Sequence, residues 1–256
     1  MAFRETVTRG NMPHWFMPGA VHFVTYRLTE TLPLNVLRRL RIERDQKIQQ
    51  TRRESPGRNG KATAHKQFFA AYDHYLDRVC KKDWLLRLGV PEIIVENLLH
   101  HHGAKYRLLE YTIMSNHVHV LLLPIAVGET DAGENVATGG TDAGSVGHVA
   151  DAASIGRPDD LFSDEITDSR SPLSGIMHSL KSYTANRINE VLQRSGRLWQ
   201  PESYDHWVRD EAELFRIAEY MALNPVHAKL VSEPHEWPHG SANLRKHQPE
   251  RLAEWW

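Results

Sequence analysis

The 256-residue sequence predicts an α+β domain, a small antiparallel sheet with helices on one face. Three observations predict it. Alternating, β-branched and aromatic runs occur at residues 21–28, 106–114 and 117–123, which reads as strands. Apolar residues at helical spacing fill the stretches around them. The order is strand, helices, hairpin, helix, helix, which suits a layered α+β sandwich.

The first strand is Val21 to Leu28, VHFVTYRL. Pro33 then opens a helical stretch carrying Leu34, Leu37 and Leu40, which runs to about Arg53 before SPGRNG at 55–60 breaks it. A second helix carries Phe68, Phe69, Tyr72, Tyr75, Leu76 and Val79. A third begins at Pro91, a favourable first-turn residue, and presents Ile94, Val95, Leu98 and Leu99. Two strands follow, Tyr106 to Met114 and His117 to Leu123, with Ser115-Asn116 as a two-residue turn between them. An amphipathic helix carries Leu173, Ile176, Met177, Leu180, Ile188, Val191 and Leu192. After a loop that includes Trp199 and Tyr204, a last helix starts at an Asp210 cap with Glu213 three residues on, and is expected to end at Pro225.

Net charge is −1, but it averages two opposite parts. Segment 125–171 holds ten acids and two bases, leaving 29 bases and 22 acids elsewhere. Segment 36–87 alone has 14 bases and 6 acids, the asymmetry of a polyanion-binding body with an acidic insert. Residues 128–171 are rich in Gly, Ala, Asp, Ser and Thr and repeat TDAG at 130 and 141. Such a stretch buries too little apolar area to offset its ordering entropy, so it reads as a disordered acidic insert. The chain therefore divides into 1–127, the insert 128–171, 172–231 and a C-terminal tail 232–256. A single cysteine, Cys80, excludes a disulfide framework and a Cys-based zinc site and suits a reducing cytosol. No apolar run approaches the ~20 residues of a membrane helix, and the first ten residues lack the apolar stretch of a signal peptide.

His117-Val118-His119 places two imidazoles on one face of a strand, about 7 Å apart along the backbone, where they can converge on a divalent metal. Alone, the pattern describes two half-exposed histidines better than a metal pair. Tyr220 and Asn224 share one helix face, one turn apart, so a tyrosine nucleophile and a hard amide ligand are one option and a packing tyrosine beside Ile217 and Met221 the other. Tyr183 falls on the apolar stripe of its helix and reads as core. His100-His101-His102 reads as a helix end, where imidazoles meet the helix dipole favourably.

Five runs in order resemble a known family. They are RGNMPHWFMPGAVHFVTYRLTETLP (9–33), YTIMSNHVHVLLLP (111–124), SLKSYTANRINEVL (179–192), GRLWQPESYDHWVRDEAEL (196–214) and EYMALNPVHAKLV (219–231). Together they resemble the REP-associated tyrosine transposases, a branch of the HUH single-tyrosine transposases. The resemblance spans nearly the whole chain except the insert and the last 20 or so residues. It implies a ferredoxin-like, RRM-like fold with the His pair on a sheet strand. The Tyr-x-x-x-Asn-Pro run falls on Tyr220 to Pro225, which selects Tyr220 over Tyr183 as nucleophile. The acidic insert is a departure, since the family's tract before its tyrosine helix is shorter.

The resemblance further implies a metal-dependent single-strand DNA endonuclease and strand transferase. Its divalent metal, Mg²⁺ or Mn²⁺, is held by His117, His119 and Asn224. Its substrate is a single-stranded DNA hairpin, cleaved through a 5′-phosphotyrosine on Tyr220. It implies a monomer or homodimer, and a cytoplasmic, nucleoid-associated bacterial protein. Arg38, Arg39, Arg41, Arg44, Arg52 and Arg53 are the candidates for DNA phosphates; Trp15, Trp84, Trp199 and Trp207 could stack on bases, although packing describes each of them better. Two alternatives stay open: a domesticated, non-cutting nucleic-acid-binding protein with the same fold, and a phosphodiesterase that uses water in place of Tyr220.

Overall fold

The computed structural model describes residues 6–9, 13–54, 60–78, 82–125 and 171–252. The insert expected at 128–171 lies outside them apart from Ser171, and so does Cys80.

Two short strands, β1 (Thr6–Arg9) and β2 (Pro13–Phe16), pair with each other and were not foreseen. The main sheet contains β3 (His22–Arg27), β4 (Tyr106–Ile113), β5 (His117–Pro124) and β6 (Tyr204–Trp207) in the order β4-β5-β3-β6. All three pairings are antiparallel. Met114 donates to the His117 carbonyl at 2.9 Å and closes the two-residue Ser115-Asn116 turn. The helices are α1 (Leu34–Glu54), α2 (Gly60–Arg78), α3 (Val90–His100), α4 (Pro172–Val191), α5 (Glu211–His227) and α6 (Ser241–His247).

With α3 between β3 and β4, and α4 between β5 and β6, this order is the β-α-β-β-α-β ferredoxin-like arrangement. The α+β class and the antiparallel sheet agree with expectation. Helices on one face, however, describes only α3 and α4. They pack Ile94, Leu98, Ile176 and Leu180 on Val24, Tyr26, Val118 and Val120. The opposite face, with Phe23 and Leu121, is covered by α1, α2 and α5 through Leu37, Leu40, Phe68, Tyr72 and Met221. The reason lies in the strands themselves: β3 is buried at every position and β5 at all but one, so both faces need a cover.

Three local expectations are corrected. Tyr204 is not in a loop but in β6, buried, because four residues there complete the β3 ladder. Tyr183 is not core; it is 51% exposed, because α4 turns Leu180, Thr184 and Ile188 inward and Trp199 Nε1 donates to Thr184 Oγ1 at 2.9 Å. The last helix does not end at Pro225 but continues to His227. Its N-terminus is as expected, with Asp210 Oδ1 accepting from Glu213 N at 2.7 Å.

Residues 234–252 close over the free edge of β4. Ile113 N donates to the His239 carbonyl at 2.9 Å, and Trp237 Nε1 to the Ile113 carbonyl at 3.1 Å. Gly240 bridges to Thr112 where a Cβ would meet Trp237 Cδ1 at 3.3 Å, so close approach favours glycine. Among the described residues, no helix is long and apolar enough to cross a membrane.

Candidate active site

The period of β5 sends Val118 and Val120 to the α3/α4 side and His117 and His119 to the α2/α5 side. His119 stands in register between Thr25 of β3 and Thr112 of β4. The two imidazoles converge, with His117 Nε2 and His119 Nε2 3.1 Å apart. Both side chains are fully buried.

His117 is fixed from behind. Its Nδ1 lies 2.8 Å from Asn116 Oδ1, an atom that only accepts, so Nδ1 carries the proton. Asn116 is itself anchored, donating Nδ2 to the Leu76 carbonyl at 2.8 Å. Burial, then the neighbouring His119, pushes His117 down to about 3, outweighing the attraction of Asp73. His117 is therefore neutral near pH 7, with the Nε2 lone pair facing the site. His119 Nδ1 is 2.7 Å from Thr25 Oγ1, a hydroxyl that can donate or accept.

Helix α2 supplies a carboxylate that the sequence did not reveal. Asp73 Oδ1 lies 3.3 Å from His119 Nε2 and 3.8 Å from His117 Nε2. Burial opposes its ionisation, but His119, then His117 and the Asn224 amide, outweigh it and hold Asp73 below the usual carboxylate range. Asp73, His117 and His119 form a donor group whose atoms all lie within 4.8 Å of one another. Asp77, one turn further along α2, reaches to 3.9 Å from His117 Nε2.

Helix α5 brings the remaining two predicted residues to the same place. The Tyr220 hydroxyl donates to Asp73 Oδ2. Asn224 Nδ2 lies 3.2 Å from the Tyr220 oxygen and 3.3 Å from His119 Nε2. Asn224 Oδ1 is buried without a hydrogen-bond partner among the described residues. Turning the amide over exchanges the two atoms and brings this oxygen to His119. One ionised carboxylate, two imidazoles and an amide oxygen form a donor set that suits a divalent cation.

The basic candidates do not converge. Arg38, Arg39 and Arg53 are exposed on α1, while Arg41 and Arg44 are half-buried; the Arg52 side chain lies outside the described residues. Arg41 faces Glu202 at 3.8 Å, and Arg44 pairs with Asp45 at 2.8 Å with its guanidinium 5.2 Å from the Phe68 ring centroid. Trp199 is core against Tyr26, Trp84 sits half-buried between Lys82 and Arg194, and Trp207 is half-buried on β6. The Trp15 side chain is outside the described residues. His100 and His101 close α3, as a helix end requires.

No family model and no curated protein matches the chain. Among solved structures, the chain is similar to that of a REP-associated tyrosine transposase bound to a REP hairpin. The identity is 12% and the TM-score 0.40, over 95% of this chain and 88% of the other.

Proposed function

We propose that the protein cleaves and rejoins single-stranded DNA through a covalent tyrosine intermediate, with Tyr220 as nucleophile. The observation that carries this is the meeting of Tyr220, Asp73 and Asn224 with both imidazoles of the His pair in one cluster. A packing tyrosine needs no carboxylate acceptor, and half-exposed histidines would not be driven together in the interior. The motif runs quoted above support the same chemistry.

A divalent cation, Mg²⁺ or Mn²⁺, held by His117, His119, Asp73 and Asn224, supplies Lewis-acid polarisation of a phosphodiester oxygen when bound. Asn116 and Thr25 orient the two imidazoles. Asp73 receives the Tyr220 hydroxyl and holds it beside the histidines. The Tyr220 oxygen attacks phosphorus in line as its proton passes to Asp73, the P–O3′ bond breaks, and the leaving O3′ takes up a proton, giving a 5′-phosphotyrosine and a free 3′-OH. The covalent bond keeps the ester's energy, so a second 3′-OH can reverse the step without ATP. Both imidazoles are fully buried under α2 and α5, so the phosphodiester reaches them only once this cover opens.

The substrate class follows from the charge of the body, which is basic once the acidic insert is set aside. Arg38, Arg39, Lys47 and Arg53 are exposed cations of α1 available to a DNA backbone. The test is a labelled hairpin oligonucleotide from the gene's own flanks, incubated with Mn²⁺ and run on a denaturing gel. A protein-linked band is expected for wild type and for Tyr183→Phe, and none for Tyr220→Phe or with EDTA. Hydrolysis without a linked band points to water as nucleophile, and binding without cleavage points to a non-cutting protein. Either outcome overturns the proposal.

A further inference from the structure

Arg27 ends β3 and stands opposite His117 in the β3–β5 register, on the same sheet face. Directly paired Cα atoms lie about 4.5–5.5 Å apart, so this cation is the next side chain beyond the His pair. It is 3% exposed. Its Nε donates to the Tyr72 hydroxyl at 2.8 Å and its Nη1 to Thr31 Oγ1 at 2.9 Å, with the guanidinium 5.8 Å from the Tyr72 ring centroid. All these partners are neutral. Among the described residues no carboxylate pairs with Arg27, and Nη2 makes no hydrogen bond.

A buried guanidinium cannot shed its proton, so it needs a counter-charge or stays costly. Glu30, three residues on, pairs with Lys82 at 3.1 Å, and Asp73, beside Tyr72 on α2, is committed to Tyr220 and the histidines. None of the described carboxylates pairs with Arg27, so an anion that enters the site can supply the charge. Position narrows its identity. Tyr220 packs at the His119 end of the pair, with ring centroids 5.8 Å apart, and Arg27 stands at the His117 end. In an in-line displacement the leaving oxygen departs on the side opposite the nucleophile.

We infer that Arg27 binds a phosphodiester oxygen of the single-stranded DNA at or beside the scissile linkage, on the leaving-group side of His117. The inference rests on the proposed strand cleavage and adds a substrate-binding residue to it. Arg27 supplies charge and N–H donors and transfers no proton. Tyr72 and Thr31 hold the guanidinium in place before DNA arrives.

The test uses the full chain in EDTA, so that no metal contributes, and hairpins carrying one neutral methylphosphonate at successive positions around the cleaved bond. Wild type is expected to bind about tenfold more weakly when one such linkage is neutral, since it loses a charge-assisted pair. Arg27→Met should bind the native and the neutral hairpin within about twofold of each other. Arg27→Lys should keep part of the difference. Tyr72→Phe breaks the structural tie but leaves the charge, and should keep all of it. If Arg27→Met, or Arg27→Lys should the former not fold, discriminates as strongly as wild type at the same linkage, the inference is wrong. Adduct formation with Mn²⁺ is scored on the wild type in parallel. No adduct removes the cleavage reading and this assignment with it. An adduct together with undiminished discrimination in the variants removes the Arg27 assignment alone.

Discussion

The Thr112 hydroxyl donates to the main-chain carbonyl of Met221 at 2.8 Å, the acceptor that Pro225 cannot serve because it has no N–H. Thr112 pairs with His119 across the β4–β5 ladder. The strand that faces one histidine thus repairs the helix that carries Tyr220 and Asn224. This is why α5 passes through a proline without breaking and why Asn224 keeps its aim.

Thr112→Val should therefore strand the Met221 carbonyl and cost about 1–3 kcal/mol of stability, read by urea denaturation. Thr112→Ser should restore most of it. Adduct formation by Thr112→Val should fall more than hairpin affinity does, because the damage is to the placement of Tyr220. Equal losses would mean that the bond serves stability alone.

Asp73→Asn tests the donor set directly. It keeps an oxygen for the Tyr220 hydroxyl but removes the ionised ligand. Calorimetric Mn²⁺ affinity should drop by about tenfold or more, as removal of a charged group from a metal site does. Unchanged affinity would leave His117, His119 and Asn224 as the ligands and restrict Asp73 to holding Tyr220.

The His pair was legible because a strand has period two, and Tyr220 with Asn224 because four residues make one helical turn. Asp73 was not, since it sits 44 residues before His117 on a different element, and no local spacing links the two. Its one signal was a carboxylate beside Tyr72 and one turn after Phe69, within an aromatic stripe. Tyr183 and Thr184 were both compatible with the α4 stripe, and the Trp199 hydrogen bond decided between them. Strand β6 is four residues with no clear alternation, so only its pairing with β3 defines it. The layer of α1, α2 and α5 escaped notice because helix packing faces follow from topology, not from periodicity.

Acid should destabilise the fold before its carboxylates titrate. His22 accepts from Met17 N at Nε2, 3.3 Å away, while Nδ1 faces the Ala20 carbonyl at 2.8 Å. Only the neutral ring satisfies both. Burial, against the opposing Ala20 contact and Asp205, lowers His22 from 6.5 to about 4. The unfolded chain then binds more protons between those values, so stability is full above pH 6.5 and is lost as pH falls toward 4. The loss from this residue is about 3 kcal/mol. Urea denaturation of His22→Gln should give lower stability at pH 7.5 and a shallower fall toward pH 4.5. An unaltered slope would assign the acid loss to other buried histidines.

The clamp on β4 makes the opposite prediction. Glu110 is buried on that strand, two residues before Thr112, and Ser241 and Arg245 of α6 both donate to its carboxylate. Burial pushes Glu110 above the usual carboxylate range, while Arg245 and Ser241 pull it back. Arg245→Met removes the counter-charge and should cost about 3–5 kcal/mol near neutral pH. A group with a raised folded pKa gives its stability at low pH and loses it as pH rises, so the deficit should shrink toward pH 5 and widen toward pH 8. Arg245→Met combined with Glu110→Gln leaves no buried charge and should recover most of the loss. A deficit that is constant with pH would show that Arg245 acts through its packing and its bond to the Leu109 carbonyl instead. The clamp also lies on the strand that steadies α5 through Thr112. The single variant should therefore lose adduct formation at pH 8 before it loses secondary structure.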